Sequence, residues 1–279
     1  TNFTSTARGV MLGVNNVCYG TFNLSGAGNL ALGTAELAVG RNDAASTDCT
    51  VTFNQTGGTA TVGNLSVGGQ SGSINTIATF SLTGGTFAAT TFQNLVAAAS
   101  SSATVTLGGT AQVTLPAFPV PAGAANLTFD FTTGWLAPQA ASAAYMRGLT
   151  AAYLTTNGAN FNVGSGKNIT IGQSFADASG AAGTLRKTGV GTLTLTNVNT
   201  YTGATVVSNG TLLVNGALSS PVTVIAGATL GGTGVISNSV VLSGTVSPGT
   251  SVGTLTTGSQ TWNGGATNRF ELSSATNSA

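Results

Sequence analysis

A short motif recurs down the first half of the chain at an interval that few folds accommodate. Thr21-Phe22-Asn23-Leu24-Ser25-Gly26 returns as Thr52-Phe53-Asn54-Gln55-Thr56-Gly57-Gly58-Thr59, and again as Thr79-Phe80-Ser81-Leu82-Thr83-Gly84-Gly85-Thr86. A fourth, worn copy is Thr104-Val105-Thr106-Leu107-Gly108-Gly109-Thr110. The steps from Phe22 to Phe53, on to Phe80 and on to Val105 shorten gradually and average about 28 residues, inside the range of solenoid repeats. A second element lies inside each period: Leu37-Ala38-Val39-Gly40-Arg41-Asn42 matches Leu65-Ser66-Val67-Gly68-Gly69-Gln70. Val10-Met11-Leu12-Gly13-Val14-Asn15 reads as an earlier copy of it.

Each period holds two or three runs in which apolar and polar residues alternate, with Gly, Asn and Asp between them. Alternation at period two is the signature of a strand, and those three residue types mark turns. A period of this length with about three short strands is one coil of a β-solenoid. The predicted fold is therefore all-β, with equivalent residues stacked ~4.8 Å apart along an axis. Phe22, Phe53 and Phe80 are predicted to form an inward ladder, while Thr, Ser and Asn face out. A sandwich or a propeller also uses short alternating strands; the period argues for the solenoid.

Composition agrees with this reading and removes other classes. Only 5% of the 279 residues are charged, and the net charge is +1. Thr and Ser abound beside the 41 glycines, so solubility rests on hydroxyls rather than charge. Seven dispersed cations make no nucleic-acid footprint, because phosphate binding needs clustered Lys and Arg. The chain has no histidine, which removes the commonest metal ligand and the commonest general base. No cofactor is expected. No run of about 20 apolar residues predicts a transmembrane helix, and no signal peptide is visible at the start.

The pattern falters over residues 116–150, where Pro116, Pro119, Pro121 and Pro138 crowd together. The Ala-rich stretch 138–147, closed by Gly148, predicts one short helix with Gly as its C-cap. Strand patterns resume near Phe161 and Ile169. The expected organisation is solenoid repeats over 1–130, an irregular coil with the helix over 131–182, and a further solenoid over 183–279.

Cys18 and Cys49 are separated by the same interval as Phe22 and Phe53, each cysteine lying four positions before its Phe. In a solenoid they occupy equivalent positions on adjacent coils, near ~5 Å apart and within the Cα range of a disulfide. A Cys18–Cys49 disulfide is predicted, which fits an oxidising compartment. The alternatives are two buried thiols or a metal site, and two Cys without His suit zinc poorly.

The six acids, Glu36, Asp43, Asp48, Asp130, Asp177 and Glu271, are spread out. Asp43 and Asp48 share a loop with Arg41 and read as a solvated loop. The alternative for these two is a cation site or an acid pair for glycan cleavage; a glycosidase needs two carboxyls across a cleft, and the other acids are far away in sequence, although that distance alone does not exclude a stacked neighbour. Arg186 and Lys187 form the single adjacent basic pair, with Lys187 expected to lie outward at a coil corner. Trp135, Tyr145, Tyr153, Tyr201 and Trp262 are scattered and read as packing residues.

The second half carries a more specific signature. Gly183-Thr184-Leu185-Arg186-Lys187-Thr188-Gly189-Val190-Gly191-Thr192-Leu193-Thr194-Leu195-Thr196 is followed by Asn199-Thr200-Tyr201-Thr202-Gly203, then by Asn209-Gly210-Thr211-Leu212-Leu213-Val214. This run resembles the autotransporter-associated β-strand repeat. The stretches Gly227–Gly234 and Gly244–Gly249 look like the coils that follow it in autotransporter passengers. The resemblance implies a right-handed parallel β-helix, secreted and displayed outside a bacterial cell. The expected function is structural rather than enzymatic: the shaft or subunit of an extracellular fibre, stalk or adhesin, self-associating through its coil ends and facing a host surface or glycan. The alternative is a β-helix that binds or cleaves polysaccharides, for which the sequence shows no groove.

Overall fold

The structure is a computed structural model that describes residues 2–4, 9–13, 18–40, 48–69, 75–94, 100–118, 126–249 and 251–271. It is a parallel β-solenoid. Among the described residues every pairing between strands is parallel, and most strands bond to the equivalent strand one coil earlier and one coil later. The ladder that begins at Asn2–Thr4 runs through Asn29–Ala31 and on to Gln260–Trp262. Its twelve rungs, spaced ~4.8 Å apart, span about 53 Å.

The coil shortens along the chain. Phe53 pairs with Phe80 and Trp135 with Asn160, whereas further on Val206 pairs with Thr223, a much shorter step in sequence. Two long strands, Cys49–Val67 and Thr76–Asn94, carry the backbone around corners at the Gly-Gly pairs 57–58 and 84–85. In the second half those long strands give way to strands of two to four residues joined by tight turns.

Alternation decides which side chains enter the rod. In Ser102–Leu107 and Asn126–Phe131 every second residue is buried, and the register stacks Ala103 on Leu127 and Val105 on Phe129. A separate parallel sheet in the second half contributes Leu193, Leu212, Leu230 and Val246, one per coil. These form one continuous apolar column from Leu24 to Val246. Each fully buried Leu, Val or Phe contributes about 1.5–3 kcal/mol. No coil could bury its inner face alone, so stability comes from the stack.

The helix expected over 138–147 does not form, and among the described residues there is no helix to cross a membrane. Residues 135–138 and 142–146 are strands instead. Trp135–Pro138 adds to Gln112–Leu115, with Pro138 at the strand end where its missing N–H costs least. Ser142–Met146 pairs with Asn168–Ile171 across a bulge, which takes up the extra residues of this coil. Tyr145 and Met146 are fully buried, and the Tyr145 ring meets Phe118 edge-on at 5.5 Å. The backbone bonds offered by neighbouring coils outweigh the helix propensity of Ala and Met, which is worth only tenths of a kcal/mol per residue.

Candidate functional site

The structure places Phe22, Phe53 and Phe80 on successive rungs. Their rings stack with centroids 5.4 and 5.0 Å apart and interplanar angles of 4° and 22°. Phe87 closes the cluster edge-on against Phe80 at 5.1 Å. The backbone register sets Cys18 directly opposite Cys49, whose side chain is fully buried; the Cys18 side chain lies outside the described residues. Arg41 and Asp43 also lie outside them. Asp48 accepts a hydrogen bond from Asn75 Nδ2 at 2.9 Å. Glu36 accepts from Asn64 and Ser66, one coil later.

The signature segment turns its distinctive residues inward. Leu185–Thr188 alternates, so Leu185 and Lys187 share the inner side while Arg186 is exposed. Lys187 therefore occupies a rung of the core ladder, between Phe161 below and Val207 above. It is fully buried, which corrects the expectation that it lies outward at a corner. Its Nζ donates to three carbonyls, those of Thr188 at 2.8 Å, Gly189 at 2.7 Å and Asn209 at 3.1 Å. An ammonium has three donors and all three are used. Burial pulls its pKa down to about 8. The lysine thus pins the end of one coil to the corner of the next.

The other signature residues serve the same corners. Gly189 turns at φ 71°, a conformation that glycine supplies without a Cβ clash. Asn199 is buried; its Nδ2 donates to Asn197 O and Ala217 O, while its Oδ1 accepts from Phe175 N. Tyr201 is buried, and its hydroxyl meets Thr205 Oγ1 at 2.6 Å, which meets Ser220 Oγ at 2.5 Å. A Cβ on Gly203 would lie 2.5 Å from the carbonyl oxygens of Ala182 and Gly183, so only glycine lets the adjacent coil approach. None of these groups is free to meet a substrate.

One grouping outside the signature escapes a reading by sequence distance. Asp130 and Asp177 line the same cavity, of about 590 Å³, together with Tyr153, Thr132, Thr155 and Ser179. The two acids flank Tyr153 at almost equal distances along the chain, one coil each way in this region. The period was the signal that could have found them. Asp177 is a structural acid. Its carboxylate accepts from Gly183 N at 2.6 Å, Thr202 N at 3.0 Å and Thr202 Oγ1 at 2.7 Å. Burial works to raise its pKa, but these hydrogen bonds outweigh it and hold the group below the usual carboxylate range. Asp130 is pushed upward by burial.

Residues 185–214 match the family described as the passenger-associated-transport-repeat. No curated protein and no solved structure matches the chain. The matched segment spans the strand of Lys187, the Asn199–Gly203 turn and the strand ending at Val214, the same corner built above. The chain is a parallel β-solenoid that carries an autotransporter-associated repeat.

Proposed function

We propose that the chain is a structural passenger segment: an extracellular shaft that holds a bacterial surface protein away from its cell and takes part in fibre, stalk or adhesin architecture. The observation that carries this reading is that the signature residues are spent on binding coil to coil. A rod with one continuous core resists proteolysis and force along its whole length, because each coil is held by both neighbours. The role is mechanical and not catalytic. The coil winds right-handed, the hand that parallel strand crossovers adopt.

A Cys18–Cys49 disulfide staples two early coils and fits secretion into an oxidising medium; the register between the two positions supports it. The coil ends associate by strand addition, which needs only backbone hydrogen bonds and meets little charge repulsion in a chain with net charge +1. Electron microscopy of the purified chain across a concentration series tests this. End-to-end filaments that lengthen with concentration are expected. Discrete short rods at every concentration would remove self-association and leave the shaft; compact round particles would remove both.

A further inference from the structure

The cavity over residues 130–179 is unlike the rest of the surface. Two of the six acids of a chain with 5% charged residues line it, and no Lys or Arg does. Asp130 stands opposite Tyr153 in the parallel register, so both project from the same outer face one coil apart. The next outward positions are in step: Thr155 N donates to Phe131 O at 3.0 Å and Ala178 N to Leu154 O at 2.8 Å, which aligns Thr132, Thr155 and Ala178. The result is a groove along the rod axis that crosses three coils, about 10 Å from first to third.

We propose that this groove binds a saccharide that carries no negative charge, stacked on Tyr153 and hydrogen-bonded by Asp130. Tyr153 is 38% exposed, whereas Tyr145 and Tyr201 are fully buried; Tyr19, Trp262 and Phe270 are exposed as well, but none of them lines this cavity. A ring at the mouth of a concave site offers an apolar face to the C–H side of a sugar at low entropic cost. Among the described residues, the half-buried Asp130 carboxylate makes no hydrogen bond or ion pair. Its oxygens reach solvent, and a ligand bearing adjacent hydroxyls can replace that water with charge-assisted hydrogen bonds. The hydroxyls of Tyr153, Thr155 and Ser179 likewise bond to no protein group among the described residues, and each can donate and accept.

Charge selects the class. The two carboxylates repel uronates and sulfated sugars, so the site takes neutral or amino-bearing ones. Hydrolysis is not part of the proposal, because Asp177 has its oxygens taken by Thr202 and Gly183 and is no free partner for Asp130.

The test is an array of neutral, amino-bearing, uronate and sulfated oligosaccharides probed with the full chain. Calorimetry then compares the best binder against Tyr153→Ala and Asp130→Asn. Binding is expected on sugars without negative charge, with each variant weakening it about tenfold or more, as loss of a central anchor does. Melting curves keep a single cooperative transition near the wild-type temperature, with no fall for Asp130→Asn, because both side chains lie on the outer face. Three results would each overturn the proposal: no binding among the uncharged or amino-bearing sugars, a preference for the anionic ones, or unchanged affinity in either variant. The shaft reading survives all three.

Discussion

Replacing Lys187 by methionine isolates what the signature lysine does. Methionine keeps the aliphatic stem between Phe161 and Val207 but removes the donor to Thr188, Gly189 and Asn209. The Thr188 carbonyl keeps a backbone bond from Val163 N at 3.0 Å. The other two lose their partner. A hydrogen bond to a charged group contributes ~1.5–3 kcal/mol. Asn209 is exposed, so water restores part of that loss, and removing the ammonium also returns its burial cost. The net loss is therefore about 2–4 kcal/mol. Because coils of a repeat rod open locally, hydrogen exchange over 185–214 reads this better than a global melt. Exchange there should speed up about 30-fold or more, at roughly tenfold per 1.4 kcal/mol.

The pH dependence gives a second readout. The folded Lys187 pKa is about 8, against about 10.4 in the unfolded chain. Between those values the unfolded chain holds a proton that the folded chain has released, so stability rises with pH. The Tyr201 phenol, pushed up to about 12 by burial against opposing hydrogen bonds from Thr205 and Ser220, acts in the other direction. Unfolded phenols ionise near about pH 10, so stability falls above that point. Wild type should gain protection from about pH 8 to about 10, and the methionine variant should not. Unchanged exchange in the variant, or the same rise with pH in both proteins, would refute the buried-lysine account.

Other perturbations follow the same geometry. Phe53→Ala removes the middle ring of three and should cost about 3–5 kcal/mol, read as a lower urea midpoint with the exchange increase centred on residues 49–82. Gly203→Ala forces a Cβ against two carbonyl oxygens at 2.5 Å; a loss of about 1–3 kcal/mol is expected in the same assay. Tyr201→Phe cuts the hydroxyl chain but leaves Thr205 and Ser220 bonded, so its cost should be near ~1 kcal/mol by thermal melting. Reduction should add the mass of two hydrogens to the intact chain and lower stability by about 3–4 kcal/mol, the entropy of closing a loop of this length. Two alkylatable thiols in the untreated protein would remove the disulfide.

The sequence was most legible where one rule acted alone. Spacing of the Thr-Phe motif was enough to give the coil, because only stacking makes the steps from Phe22 to Phe53 and from Phe53 to Phe80 equivalent. It was least legible where two rules competed. Residues 142–146 have helical composition, but the strand Asn168–Ile171 one coil later offers them backbone bonds, and tertiary pairing overrides local preference. For Lys187, charge argues for the surface and strand parity for the interior: Leu185 is buried, and a strand puts the residue two further on to the same side. Three carbonyls from residues 188, 189 and 209 make that burial tolerable, and carbonyl positions are not written in side chains. The groove around Tyr153 is hidden in the sequence for a different reason. Its acids are distant along the chain; the register sets Asp130 opposite Tyr153, while Asp177 falls opposite buried Leu154 and still lines the same cavity.

The central claim is that the whole described chain is one parallel rod, and inter-label distances test it most directly. Gln112, Thr223 and Thr261 lie on the same outward ladder, with Thr223 five rungs and Thr261 seven rungs from Gln112. Spin labels at 112 and 223, then at 112 and 261, in a background without other reactive thiols, can be measured by pulsed electron resonance. The rod predicts mean separations of about 24 and about 34 Å, a steady ~4.8 Å per coil. Equal distances for the two pairs, or a shorter one for the pair further apart in sequence, would mean that the chain folds back on itself and would contradict the account.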